Sequence, residues 1–292
     1  MIHSTNAHLN IAVLSHPGMT GKNNEDRYAV SSYTVSKDDA KPVVFAVVAD
    51  GIGGHRAGEV AAELAVNYIS QGVFESNAYK PIKILQEAIE DASQAIAAHS
   101  AGKAEQEGMG STCACAWVIG NQLYTAHVGD SRIYLIRGDK IKRITKDHTW
   151  VQEAMDKGII TTEQAHDHPN VHVIRRYLGS IALPKVDFRM WLLDEPETDD
   201  EANSNQGFKL ETADIILLCS DGLTDLVWED EILKIIRSKK ELKSAANVLV
   251  NTANERGGHD NITVILMEVP KLEDTQKNKK KSGFLNWLPG KK

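Results

Sequence analysis

At 292 residues, with 42% hydrophobic and 25% charged residues, the chain has the make-up of one large soluble globular domain rather than a fibrous, disordered or disulfide-stapled protein. No apolar stretch is long enough to cross a bilayer, and the first residues lack the basic start and long apolar core of a secretory signal, so a cytoplasmic location is expected. The net charge of −7 is unevenly spread: residues 271–292 hold seven lysines and two acids, which leaves a strongly acidic body and argues against nucleic acid as the main partner. The three cysteines, Cys113, Cys115 and Cys219, lie in apolar strand-like stretches and are expected to be reduced core residues.

In chain order, Val43-Val44-Phe45-Ala46-Val47-Val48-Ala49 has the length and continuous apolarity of a strand buried on both faces, and it runs into Asp50-Gly51. Apolar residues at helical spacing predict helices over 58–71 and 81–99. Strands follow at about 112–119, 122–128, 132–137 and 140–144, joined at Gly120-Asn121 and Gly138-Asp139. Asp147 is expected to cap a helix through Trp150, Val151 and Ala154. His166-Asp167-His168-Pro169 with His172 has a metal-like look but is assigned to a surface flap over about 148–180. A strand is expected over 186–193, then a solvated acidic loop over 194–208. Ile215-Ile216-Leu217-Leu218-Cys219-Ser220 is a second buried strand and runs into Asp221-Gly222; helices over 229–237 and 241–256 and a strand over 262–266 complete the body. Short-turn pairings imply antiparallel sheets, and the long amphipathic helices must cover their outer faces.

The chemistry lies in the acids. Two buried strands each deliver an Asp followed by Gly, and further acids stand at turns or strand ends: Glu25 and Asp26 in Asn23-Asn24-Glu25-Asp26, Asp130 in Gly129-Asp130-Ser131-Arg132, and Asp260 in Gly257-Gly258-His259-Asp260-Asn261. Sparse carboxylates on rigid elements, with a glycine carbonyl beside them, suit a hard divalent cation that keeps some of its waters.

Those pieces, with Asp50-Gly51-Ile52-Gly53-Gly54-His55, Met109-Gly110-Ser111-Thr112 and Asp147-His148-Thr149, resemble the metal-dependent PPM/PP2C family of protein serine/threonine phosphatases in its bacterial form, in the family's order and from about Leu14 to about Met267. The resemblance implies an α+β fold, a four-layer α-β-β-α sandwich of two mainly antiparallel sheets, in a domain expected over residues 1–270; the basic run of the segment 271–292 marks it, by composition, as an expected disordered tail. It implies hydrolysis of phosphoserine and phosphothreonine by a water activated between two Mn²⁺ or Mg²⁺ ions, with a third, weaker ion. By resemblance Asp50 would bridge the two ions, the Gly51 carbonyl would bind one, and Asp221 and Asp260 would hold the second. Asp26 and Glu25 would lie by the first, and Asp130 with Asp221 would hold the third. His55 is the candidate general acid, and Asn261 would orient Asp260. Phosphorylated proteins and a cognate Ser/Thr kinase system are the implied partners of a monomer, and the tail is a candidate for contact with a membrane surface or a partner.

The family commonly carries an arginine that forks the substrate phosphate at the position of Gly21; Lys22 beside it is the remaining cation and the phosphate-binding candidate. Two other readings stay open from sequence: a phosphoprotein-binding pseudophosphatase, and a regulatory phosphatase of the anti-anti-sigma type.

Overall fold

The computed structural model describes residues 1–53, 57–166, 168–195 and 197–271. Its first sheet runs in the order Ile2–His3, Arg27–Thr34, Pro42–Ala49, Cys113–Ile119, Gln122–Val128 and Phe208–Lys209. Its second runs Lys140–Arg143, Arg132–Arg137, Ile215–Cys219, Ile262–Glu268 and Asn10–His16. Every pairing in both sheets is antiparallel.

Strand alternation sorts the continuous apolar runs into layers. Val43, Phe45 and Val47 point outward and pack with Ala61, Ala65 and Ile69 of the helix Ala57–Glu75 and with Leu85 and Ile89 of the helix Pro81–Ser100. Val44, Ala46 and Val48 point the other way and meet Ile216, Leu218, Ile265 and Met267 of the second sheet. On that sheet's outer face Leu217, Cys219 and Leu266 pack with Ile232 of the helix Glu229–Ser238 and with Leu249 and Ala253 of the helix Leu242–Glu255. The result is the expected helix–sheet–sheet–helix sandwich. All three cysteines are buried and unpaired.

Three local expectations are corrected. Asp147 does not cap a helix: Thr149 caps Trp150–Asp156, its hydroxyl accepting from the Gln152 N–H. Asp147 is instead buried against Arg132, whose Nε and Nη2 donate to its two oxygens at 3.1 and 2.7 Å. No strand forms over 186–193. The main-chain N–H groups of Asp187, Met190 and Trp191 reach three separate partners, His127, Ala202 and Ile144, so no ladder can build. The acidic stretch over 194–208 is not only loop, because Thr198 and Glu201 form a reciprocal capping box that starts the helix Asp199–Ser204.

Candidate active site

The two Asp-Gly pairs sit where their strands leave the space between the sheets, and a close backbone approach explains each glycine. A Cβ on Gly51 would lie 2.2 Å from the Gly58 carbonyl oxygen, and one on Gly222 would lie 2.1 Å from that of Asn261. Any side chain would push these segments apart. The main chain of Asp50 is fixed by Thr112, whose hydroxyl accepts from the Asp50 N–H at 3.0 Å while its own N–H donates to the Asp50 carbonyl at 2.9 Å. Thr112 is in turn bonded to Ser131, next to Asp130, at 2.7 Å.

The Asn23-Asn24-Glu25-Asp26 loop is tied to the far end of the chain. Asn24 donates to Ser15 at 2.8 Å, and its side-chain oxygen accepts from the Asp26 N–H. Ser220 donates to Asp26 Oδ2 at 2.7 Å. Asn261 Oδ1 accepts from the Glu25 N–H at 2.6 Å, and its Nδ2 donates to the carbonyls of Pro17 and Asn23. The Asn261 side chain thus anchors the acidic loop; Asp260 is held by the Asn261 main-chain N–H instead, at 2.8 Å.

These ties bring Asp26, Asp50, Asp130 and Asp221 into one electrostatic neighbourhood. Burial comes first in raising all four, and repulsion from neighbouring acids adds to it: Asp260 on Asp26, and Asp147 and Asp225 on Asp130. Asp26 is pushed up to about 6 despite the hydrogen bonds from Thr263 and Ser220, and Asp130 to about 7. Asp50 and Asp221 go well above the usual carboxylate range, each repelled by Asp26, Asp130 and Asp260. Glu25 is also raised, by burial and by Asp260 and Glu59. Among the described residues, the only buried carboxylate oxygens without a hydrogen-bond partner in the protein are Asp26 Oδ1, Asp130 Oδ1 and Asp221 Oδ1. Converging acids that repel one another and keep unpaired oxygens are what a divalent cation would relieve.

Asp225 escaped the sequence reading. His172, Asp221 and Asp225 present ligand atoms all within 4.8 Å of one another, and His172 Nδ1 lies 3.6 Å from Asp225 Oδ2. The spacing of Asp221 and Asp225, four residues apart at a strand-to-helix turn, was the available signal. His168 is turned away and stacks on Trp150 at 4.5 Å. Lys22 and Gly21 are exposed. His55, the His166 side chain, Asp167 and residues 272–292 lie outside the described residues.

A family model described as "Protein phosphatase 2C" matches residues 18–267. The "Serine/threonine phosphatase stp" of Listeria innocua is 36% identical over 255 residues, covering 86% of this chain and 92% of that protein. The crystal structure of the Mycobacterium tuberculosis serine/threonine phosphatase PstP/Ppp superposes with a TM-score of 0.73 at 33% identity, covering 90% of this chain and 99% of that one. A structure of the PstP catalytic domain in complex with two manganese ions gives a TM-score of 0.71 at 33% identity, with the same two coverages.

Proposed function

The chain belongs to the protein phosphatase 2C family, and from that premise we propose how its own residues carry the reaction. It is a metal-dependent protein serine/threonine phosphatase, and phosphoproteins are its substrates. The observation that carries the site assignment is the set of unpartnered oxygens on Asp26, Asp130 and Asp221, gathered around Asp50.

Asp26, Asp50, the Gly51 carbonyl, Asp221 and Asp260 would hold two divalent ions, Mn²⁺ or Mg²⁺, and Asp130 with Asp221 would hold a third, weaker one. Bound divalent cations supply Lewis acidity for activating water and for neutralising phosphoryl oxygens. Thr112 and Asn261 hold the loops that carry Asp50 and Glu25, so the acids stay preorganised although they repel. Ser220 fixes which oxygen of Asp26 is left to face the site. Lys22 is the cation available to a substrate phosphate, and His55 is assigned the proton transfer to the departing serine or threonine oxygen.

At pathway level we assign the chain to the cytoplasm, as a monomer that reverses the work of a cognate Ser/Thr kinase. Among the described residues no helix is long and apolar enough to cross a membrane. The basic segment 271–292 is assigned to contact with an anionic surface or a partner, outside the phosphatase domain 1–270. The intact set of acids speaks against a pseudophosphatase.

The test is hydrolysis of a phosphoserine peptide and of p-nitrophenyl phosphate, with Mn²⁺ and with EDTA. Turnover on both that EDTA abolishes is expected; turnover insensitive to EDTA would remove the metal assignment. Asp130→Ala should raise the Mn²⁺ concentration needed for half-maximal rate. An unchanged Mn²⁺ titration would take Asp130 out of the site.

A further inference from the structure

A groove of about 790 Å³ runs outward from the acid cluster, and nothing in the metal chemistry uses most of it. Its inner end is formed by Gly222, Asp225 and Asp260, residues of the proposed site or beside it. One wall comes from the helices Trp150–Asp156 and Thr162–His166, the other from the segment between Asp225 and Asp230. Three features give it a chemical character.

The walls are apolar: Val151, Met155 and Ala165 face the groove on one side, Leu226 and Val227 on the other. The two guanidiniums in the lining are already engaged. Arg132 Nη2 and Arg143 Nη1 both turn to Asp147 Oδ2, at 2.7 and 3.5 Å. They are therefore poor anchors for an incoming anion away from the acid cluster. The outer rim is acidic, with Glu229 and Asp230 both exposed at the start of the helix Glu229–Ser238. Lys234 meets Asp230 at 2.8 Å, a solvent-exposed pair that is easily exchanged, and Glu229 has no ion pair of this kind among the described residues.

We propose that this groove receives the substrate segment flanking the phosphorylated residue, seating one large apolar side chain between the two walls and favouring lysine or arginine beyond it, opposite Glu229 and Asp230. The inference rests on the reading of the acid cluster as the catalytic centre, because continuity with Asp225 and Asp260 is what makes the groove a path for the same chain that presents the phosphate. A protein substrate must lie across the surface on at least one side of its phosphoresidue. This channel offers it an apolar seat followed by negative charge. A small aryl phosphate has no flank and would not enter.

The experiment compares p-nitrophenyl phosphate with a phosphothreonine peptide series in which each position on both sides is Ala, Leu, Arg or Glu in turn. On one side, Leu near the phosphoresidue should raise kcat/KM roughly tenfold over Ala. Arg beyond it should exceed Glu by several-fold. Thr162→Trp, which fills the groove from an exposed position, should erase the Leu preference. The double variant Glu229→Lys with Asp230→Lys should reverse the Arg preference, and both variants should keep the wild-type rate on p-nitrophenyl phosphate. If p-nitrophenyl phosphate is hydrolysed but the peptide series is flat, or the preferences survive in both variants, the groove proposal falls and the catalytic reading stands. Equal losses on p-nitrophenyl phosphate and peptide in these variants would also overturn it, since the residues would then act on the chemistry itself. Absence of p-nitrophenyl phosphate turnover in the wild-type protein with Mn²⁺ would strike the catalytic reading, and the groove with it.

Discussion

Two polar clusters, the front one partly and the rear one fully buried, lie on either side of the Gly129-Asp130 turn, and both are built from residues that bind metals. In front are Asp26, Asp50, Asp130 and Asp221. Behind are His127, His148 and Asp187, whose ligand atoms fall within 4.8 Å of one another, as do those of Asp221 with His172 and Asp225 in front. Their bonding is opposite. Asp187 accepts from Arg189 Nε at 2.9 Å and from the Arg189 N–H, and His148 Nε2 lies 3.3 Å from its other oxygen. His148 Nδ1 accepts from the Gly129 N–H at 3.1 Å, and His127 Nε2 bonds to the Lys146 carbonyl at 2.8 Å. Burial alone would raise Asp187, but Arg189 and His148 outweigh it and hold its carboxyl far below the usual range. Burial pushes His148 down to about 4, so it stays neutral. Proximity of ligand atoms thus does not separate a metal site from a structural network; unsatisfied oxygens and raised carboxyls do. The rear cluster is a closed network that fixes the turn carrying Asp130, and the front cluster is open.

The sharpest break of this comparison is a pair of variants in front. Asp50→Ala and Asp221→Ala should cut Mn²⁺-dependent turnover by far more than tenfold, where tenfold already corresponds to about 1.4 kcal/mol. In EDTA they should melt no lower than wild type, because each removes a buried carboxyl that its neighbours repel. Kinetics together with thermal melts in EDTA check both halves. Retention of more than about a tenth of the rate by either variant would sink the assignment.

Behind the turn the balance reverses. Asp187→Asn removes the charge that Arg189 and His148 share, and breaking a buried ion pair from one side costs about 3–5 kcal/mol. A fall in Tm on the order of 10 °C should follow, while the folded enzyme at low temperature keeps most of its turnover and its Mn²⁺ titration. Lost turnover without a change in Tm would instead put Asp187 in the chemistry.

This contrast also marks what the sequence could disclose. Asp50 and Asp221 stood out because each follows a continuous apolar run of strand length, and the layer order came from the short-turn strand pairings and the long amphipathic helices. Asp147 was misread because an acid before an apolar helical stretch looks like a cap; its partner Arg132 is 15 residues away on another strand, a pairing that local spacing cannot reveal. Residues 186–193 alternate like a strand, but their main-chain groups serve three elements. The Thr198 and Glu201 capping box was readable and was hidden by the density of acids around it. Asp225 could have been found from its four-residue spacing to Asp221, but its proximity to His172 depends on how the flap folds back.

Metal removal sharpens the comparison through pH. The carboxyls of Asp26 and Asp130 stand at about 6 and about 7 in the metal-free fold, against about 3.9 in an unfolded chain. Between those limits the native state binds more protons than the unfolded one, so stability falls as pH rises. In EDTA the Tm should therefore decline from about pH 4 towards about pH 7 through these groups, while protein saturated with Mn²⁺ should show a flatter profile. Calorimetric scans across that range would show it, and parallel curves with and without Mn²⁺ would mean that the front cluster is not where the ions bind.

The smallest expected effects lie at Gly21 and Lys22, beside the acidic loop of the front cluster. Gly21 has φ +74, and a Cβ there would meet nothing within 4 Å. An arginine at this position has space for its side chain but must adopt a left-handed backbone, at a cost of about 1 kcal/mol. Gly21→Arg should thus lower Tm by a few degrees and lower KM for a phosphopeptide, with kcat little changed, because a contact to the ground-state phosphate is mostly uniform binding. Lys22 is exposed and lies near enough to Glu25 to offset part of the rise that burial, Asp260 and Glu59 impose on its carboxyl. A lysine so placed is a screened point charge, not a fork. Lys22→Ala should raise KM only about two- to fivefold, the range of an exposed charge pair. A Gly21→Arg protein with unchanged KM, together with a silent Lys22→Ala, would mean that this loop does not reach the phosphate and that ground-state binding rests on the ions and the groove alone.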